Sequence, residues 1–217
     1  MKKPLKYYAQ TRKEMLPFIP SNARKILEVG CGQGIFSAQL ITEKREIWGV
    51  ELNSESAKKA SEQLFKVIAK SLDDALIDLP DNYFDVIIFN DVLEHLLYPW
   101  EDLKRVKSKL SVTGVVVSSI PNVRYSKNLF NFLFKKDWKY NEQGILDSTH
   151  FRFFTKKSIK ALYKENGYTI QRMKGINVTK SFAFFPFAVL FNILFLCTQL
   201  DMFYMQFATV ANKIEEN

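Results

Sequence analysis

In KILEVGCGQGIF, Lys25 to Phe36, a short apolar run is followed by glycines at positions 30, 32 and 34. Ile26, Leu27 and Val29 read as a buried strand, and the glycines as a tight turn into a helix that starts near Ile35. Glycine tolerates positive φ and carries no Cβ, so a ligand can approach such a turn closely. Outward from it, strand and helix patterns alternate. Ile35 to Thr42 has helical spacing, EIWGVELN is a strand ending in Glu51, and Ser54 is placed to cap a second helix. KVIAKS is a short strand, and YFDVIIFND is the continuous apolar run of a strand covered on both faces. A helix around Trp100 to Leu110, the strand GVVVSSIPN, a helix KKSIKALYKENG stopped by Gly167 and a strand from Tyr168 complete the series. This alternation predicts an α/β open sheet that binds ligands beyond the carboxyl ends of its strands.

A chain of 217 residues, 47% hydrophobic and 25% charged, can bury one core, and one domain is expected over 1–217. The net charge is +8, but the lysines are scattered, as in the pairs Lys135-Lys136 and Lys156-Lys157, which argues against a nucleic-acid stripe. Cys31 and Cys197 sit in no metal-ligand spacing and imply a reducing, cytoplasmic compartment. The basic start, MKKPLKYYAQTRKEML, has no apolar core of signal-peptide length, so no cleaved targeting segment is expected.

A dinucleotide fold needs a small residue five positions after its first glycine, and here that position is Ile35. The spacing ExGxGxG from Glu28 to Gly34, with Glu51 ending the second strand and FDVIIFNDVLEHL further on, resembles the S-adenosylmethionine site of class I methyltransferases. The resemblance runs from about Tyr8 to Asn212 and is closest to ubiquinone-biosynthesis and polysaccharide-associated enzymes. It implies a Rossmann-like, seven-stranded, mostly parallel sheet with helices on both faces. Gly30, Gly32 and Gly34 would then admit the cofactor, Glu51 would accept its ribose hydroxyls, and Glu28 would favour the cationic amino end. Asn90 would face the methionine part, and Asp73, or Asp74 if the register shifts by one, would receive the adenine amino group. Tyr8 and Arg12 match the N-terminal segment that closes over the cofactor, with a plain packing role as the alternative.

The chain has only two histidines, His95 in DVLEH after the fourth strand and His150 in STHFRFF before the last long helix. On a helical turn, Asp91, Glu94 and His95 would share one face. The stretch resembles the ExxEH metal site of small-RNA ribose 2′-O-methyltransferases and the LEH of ubiquinone-pathway O-methyltransferases. That resemblance implies a divalent ion, with His150 as a fourth ligand, and the donor set would suit magnesium or manganese. His95 can instead be a general base oriented by a neighbouring carboxylate, or a purely structural histidine. The base is favoured, because Asp91 is one methylene shorter than the glutamate of the metal pattern.

The connection from Pro121 to Phe154 is long, aromatic and cationic, and is expected to be a lid over a sugar, lipid-linked or nucleotide-linked acceptor. Ser181 to Leu200 carries no charge and would reach across a bilayer, but the strand-like MFYMQFATVANK after it belongs to the same sheet. An apolar helical insertion is therefore expected there, lying peripherally on the inner membrane face or packing in a homodimer, with a buried helix as the alternative. Methyl transfer to a small-molecule or glycan hydroxyl is the favoured function. A metal-dependent RNA ribose methyltransferase and a non-catalytic cofactor-binding protein are the alternatives.

Overall fold

The computed structural model describes residues 8–178 and 184–214, so positions 181–183 of the expected apolar insertion lie outside the described residues. Seven strands form one sheet: β1 (Lys25–Val29), β2 (Glu46–Val50), β3 (Lys66–Ile68), β4 (Phe84–Asn90), β5 (Leu110–Pro121), β6 (Tyr168–Val178) and β7 (Tyr204–Lys213). Their spatial order is β3-β2-β1-β4-β5-β7-β6. The first five run parallel, and β7 inserts antiparallel between β5 and β6. The strand order reverses between β1 and β4, whose carboxyl ends therefore open onto the crevice where α/β sheets bind ligands.

Strand periodicity builds the core. In β4, Ile87 and Phe89 join Leu27, Val29 and Trp48 on one face, whereas Val86 and Ile88 join Ile26 and Ile47 on the other. The first face is covered by α3 (Leu72–Ala75), α4 (Pro99–Val106) and α6 (Lys156–Glu165), through Leu72, Leu103, Val106, Ile159 and Tyr163. The second is covered by α1 (Ile35–Ala38) and α2 (Ser54–Ser61), through Phe36 and Ala60. Each fully buried large apolar side chain stabilises the fold by about 1.5–3 kcal/mol, which is why the centre of β4 is an unbroken apolar run up to Asn90.

Three local features differ from the sequence reading. The α1 helix ends at Ala38 rather than Thr42, and turn bonds such as Leu40 N to Ser37 O (2.9 Å) follow it. The cap of α2 is Asn53, whose Oδ1 accepts from Ser56 N at 2.9 Å; Ser54 is already the first helical residue. The long connection after β5 is not irregular throughout, because α5 (Ser126–Phe134) forms in it and packs against α7 (Phe184–Leu194). Among the described residues no helix is long and apolar enough to cross a membrane.

Candidate active site

The turn after β1 is made of three left-handed glycines, Gly30 (φ 67°), Gly32 (φ 55°) and Gly34 (φ 76°). A Cβ on Gly30 would stand 2.7 Å from Val92 Cγ2, and one on Gly32 would strike the Tyr8 carbonyl. The Glu51 carboxylate fastens the turn from the end of β2: its Oε2 accepts from Gly32 N at 2.8 Å and its Oε1 from Asn53 N at 2.7 Å. A carboxylate has about four acceptor positions, so two remain for ribose hydroxyls. The Tyr8 carbonyl accepts from Gln33 N at 2.9 Å, which lays Tyr8 across the turn.

Gly30, Gly32 and Tyr8 form one wall of a cavity of about 440 Å³, and Asn90, Glu94, His95 and His150 line it further in. Its size lies within the range of small-molecule sites. Glu28 is buried at its base, accepting from Ser37 Oγ at 2.6 Å and from Asn90 Nδ2 at 3.1 Å. Burial pushes its carboxyl up to about 7, against these two hydrogen bonds. Holding the amide nitrogen of Asn90 leaves Asn90 Oδ1, which has no hydrogen-bond partner among the described residues, as an acceptor for a cationic amino group.

Two expected site residues stand elsewhere. Asp73 is 69% exposed at its side chain and pairs with Arg105 of α4, away from the cavity. Asp74 is no replacement, because its carboxylate accepts from Ser71 Oγ at 2.6 Å at the start of α3. Asp91 lines the cavity but shares no helical face with Glu94 and His95, since it adopts a left-handed conformation (φ 53°) and only Leu93–His95 form a 3-10 turn. Its carboxylate pairs with Arg12 and accepts from Ser119 Oγ at 3.0 Å and Gln206 Nε2 at 2.7 Å.

The connection after β5 brings the second histidine back to the first. Phe151 N and Arg152 N donate to the Glu94 carbonyl at 2.9 and 3.1 Å, and Arg152 Nη2 donates to the Leu97 carbonyl at 2.6 Å. Ligand atoms of Glu94, His95 and His150 thereby fall within 4.8 Å of one another, and the two imidazole rings meet edge to face at 4.5 Å. His150 Nδ1 donates to the Ile145 carbonyl at 3.0 Å, so the lone pair is on Nε2. His95 Nδ1 lies 3.1 Å from the Thr149 carbonyl and 3.2 Å from Thr149 Oγ1, whose own proton goes to Asp147 Oδ1 at 2.7 Å. Both acceptors fix the His95 proton on Nδ1 and its lone pair on Nε2. A backbone carbonyl and a threonine thus orient His95, with the Asp147 carboxylate behind the threonine.

Glu94 is only 1% exposed, and neither of its carboxylate oxygens has a hydrogen-bond partner among the described residues. His150 Nε2 stands 4.0 Å from its Oε1, too far for a hydrogen bond. Burial pushes the Glu94 carboxyl up to about 8, with Asp147 adding repulsion and Arg12 opposing it. An unpartnered buried carboxylate is costly, and a cation beside it removes that cost. The residues present therefore fit a divalent ion, on a set of one carboxylate and two imidazoles from which Asp91 is absent.

Asp147, Thr149 and Gln206 escape the sequence reading. The D-x-T spacing of Asp147 and Thr149 is a readable turn signal, and Thr149 N indeed donates to Asp147 Oδ1 at 2.8 Å. Gln206 carries no such signal, since it reaches the site only through the insertion of β7 next to β5.

Known proteins resemble the chain across this architecture. A family model described as a methyltransferase domain matches residues 2–172. The ubiquinone biosynthesis O-methyltransferase of Psychrobacter arcticus is 27% identical over 167 residues, which cover 71% of this chain and 62% of that protein. The chain thus spans less than two thirds of that curated relative's length. A SAM-dependent methyltransferase structure from Archaeoglobus fulgidus has a TM-score of 0.65 at 21% identity, covering 97% of this chain and 95% of that one. One from Aquifex aeolicus has a TM-score of 0.60 at 14% identity, covering 96% and 93%. At these identities the solved structures speak to the fold.

Proposed function

The chain belongs to the methyltransferase-domain family; from that premise we propose that it is an S-adenosylmethionine-dependent enzyme that methylates a hydroxyl oxygen of a small-molecule acceptor, a sugar or lipid-linked compound, beside a divalent cation held by Glu94, His95 and His150. The observation that carries this reading is the Glu94 carboxylate at the cavity wall, without a hydrogen-bond partner among the described residues and with its ligand atom within 4.8 Å of those of two imidazoles. The family resemblance of the LEH stretch and the O-methyl transfer named for the Psychrobacter relative support it.

S-adenosylmethionine supplies an electrophilic methyl group on a sulfonium, and a cation supplies positive charge that acidifies a nearby hydroxyl. The work of the chain is alignment. Gly30 and Gly32 would let the cofactor lie against bare backbone, Glu51 would offer its remaining lone pairs to the ribose, and Asn90, held by Glu28, would offer its Oδ1 to the amino end. In the transfer the acceptor oxygen would bond to the methyl carbon as the carbon–sulfur bond breaks to leave S-adenosylhomocysteine, and the hydroxyl proton, made more acidic by the cation, would pass to solvent water. With two imidazoles and one carboxylate, manganese suits the set better than magnesium, which prefers oxygen donors. Arg152 over the Trp100 ring at 5.1 Å and the exposed Trp138 and Tyr140 give the lid the stacking surfaces that sugars and amphiphiles use.

The relay from His95 through Thr149 to Asp147 favours a second reading, in which His95 Nε2 takes the hydroxyl proton itself. Transfer of labelled methyl groups from S-adenosylmethionine to a panel of catechols, glycans and lipid-linked sugars, with and without chelator, tests both. Base-stable methyl ethers formed only with a divalent ion support the first reading, and ethers formed despite chelator support the second. Methyl esters or methylamines as the products would contradict hydroxyl methylation altogether.

A further inference from the structure

The apolar surface of α5 and α7 is not used by the site described above. The two helices pack through Phe130 on Phe184 (5.5 Å) and Phe187 (5.4 Å), and Phe134 on Phe187 (5.6 Å). Inward, α7 buries only Ala188 and Asn192. Outward it presents Leu190, Ile193 and Leu194, which are 58%, 62% and 69% exposed, beside the exposed Phe132 and Leu133 of α5. No charged residue lies in α7. Within residues 126–140, however, Lys127, Lys135, Lys136 and Lys139 are all exposed, against a single carboxylate, Asp137. A cationic rim therefore borders an apolar face.

We propose that this face docks on an anionic phospholipid bilayer, with α7 lying in the headgroup boundary and the lysines of residues 127–139 on lipid phosphates. An 11-residue helix is about 16 Å long, too short to span and well suited to lying in the interface. A second copy of the chain is the poorer occupant, because a two-fold contact would set the same lysines against their own images with little acidic surface to meet them. The rim instead complements negatively charged lipid, where each lysine adds attraction. The platform is also continuous with the cavity. Ring contacts run from Phe132 to Trp138 (6.0 Å), from Trp138 to Phe153 (5.5 Å) and from Phe153 to His150 (6.4 Å).

Co-sedimentation of the full chain with vesicles of equal parts phosphatidylglycerol and phosphatidylcholine, and with phosphatidylcholine alone, tests the surface without any turnover, so that its failure leaves the methyl-transfer reading standing. Binding to the anionic vesicles that weakens with salt is expected. Leu190→Asp with Ile193→Asp, and separately Lys135→Glu with Lys136→Glu, should each weaken it at least about tenfold while leaving S-adenosylhomocysteine affinity unchanged. Absence of wild-type binding, or binding unaffected by either pair, would overturn the proposal. So would a wild-type dimer in light scattering that the aspartate pair dissociates, since a second copy would then cover the face.

Discussion

At the scale of single residues, Glu94 is the group on which the site turns. Its carboxyl is pushed up to about 8 by burial, so a metal-free site keeps the proton at neutral pH and an incoming cation must displace it. Apparent affinity for manganese should therefore rise about tenfold per pH unit up to pH 8 and level off above it, as titration calorimetry at several pH values can check. Glu94→Gln should remove that slope. His150→Ala should weaken binding by about 10²-fold or more, because even residues behind a ligand are worth 10–100-fold. His95→Ala separates the two readings: if His95 is only a base, turnover falls about 10²- to 10⁴-fold while metal and cofactor affinity are kept. The histidines are visible as candidates in the sequence because they are few and one of them stands beside acids. Asp91 misleads because helical spacing does not hold for a residue with positive φ, and Asp73 because one short helix fixes its direction toward Arg105.

At the scale of elements, the glycine turn and the strand before it are legible in the sequence, since a short apolar run interrupted only by Glu28 and followed by three alternate glycines fits few structures besides a buried strand and a ligand-bearing turn. The position of β7 is not. Its alternation shows a strand, but only pairing energies across the sheet place it antiparallel between β5 and β6, and with it Gln206 against Asp91. The turn itself is testable. Gly32→Ala puts a Cβ against the Tyr8 carbonyl at φ 55°, a strain of about 1–2 kcal/mol. For a chain of this size it should lower Tm by about 2–8 °C and weaken S-adenosylhomocysteine binding, as thermal unfolding with and without ligand would show. Unchanged values would mean that the N-terminal segment does not lie over the turn.

At the scale of the whole molecule, the buried Glu28 and Glu94 make stability depend on pH near neutrality, while burial raises the Asp102 carboxyl only to about 6. Glu28 and Glu94 are raised from 4.5 to about 7 and about 8, so the folded chain binds protons that the unfolded chain releases. Their contribution is fully present below about pH 4.5 and is lost as pH rises through 7 and 8, at up to about 1.4 kcal/mol per pH unit for each group. Urea unfolding of the ligand-free protein should show stability falling over this window, and Glu94→Gln should flatten the fall. Stability rising with pH there would contradict the burial of both acids. The central claim is that Glu94, His95 and His150 hold a divalent ion beside the cofactor, and the most direct measurement is electron paramagnetic resonance of manganese titrated into chelator-stripped protein. One bound manganese per chain is predicted, lost in Glu94→Gln and in His150→Ala while S-adenosylhomocysteine still binds; no bound manganese in the wild type, or binding undiminished in both variants, would contradict it.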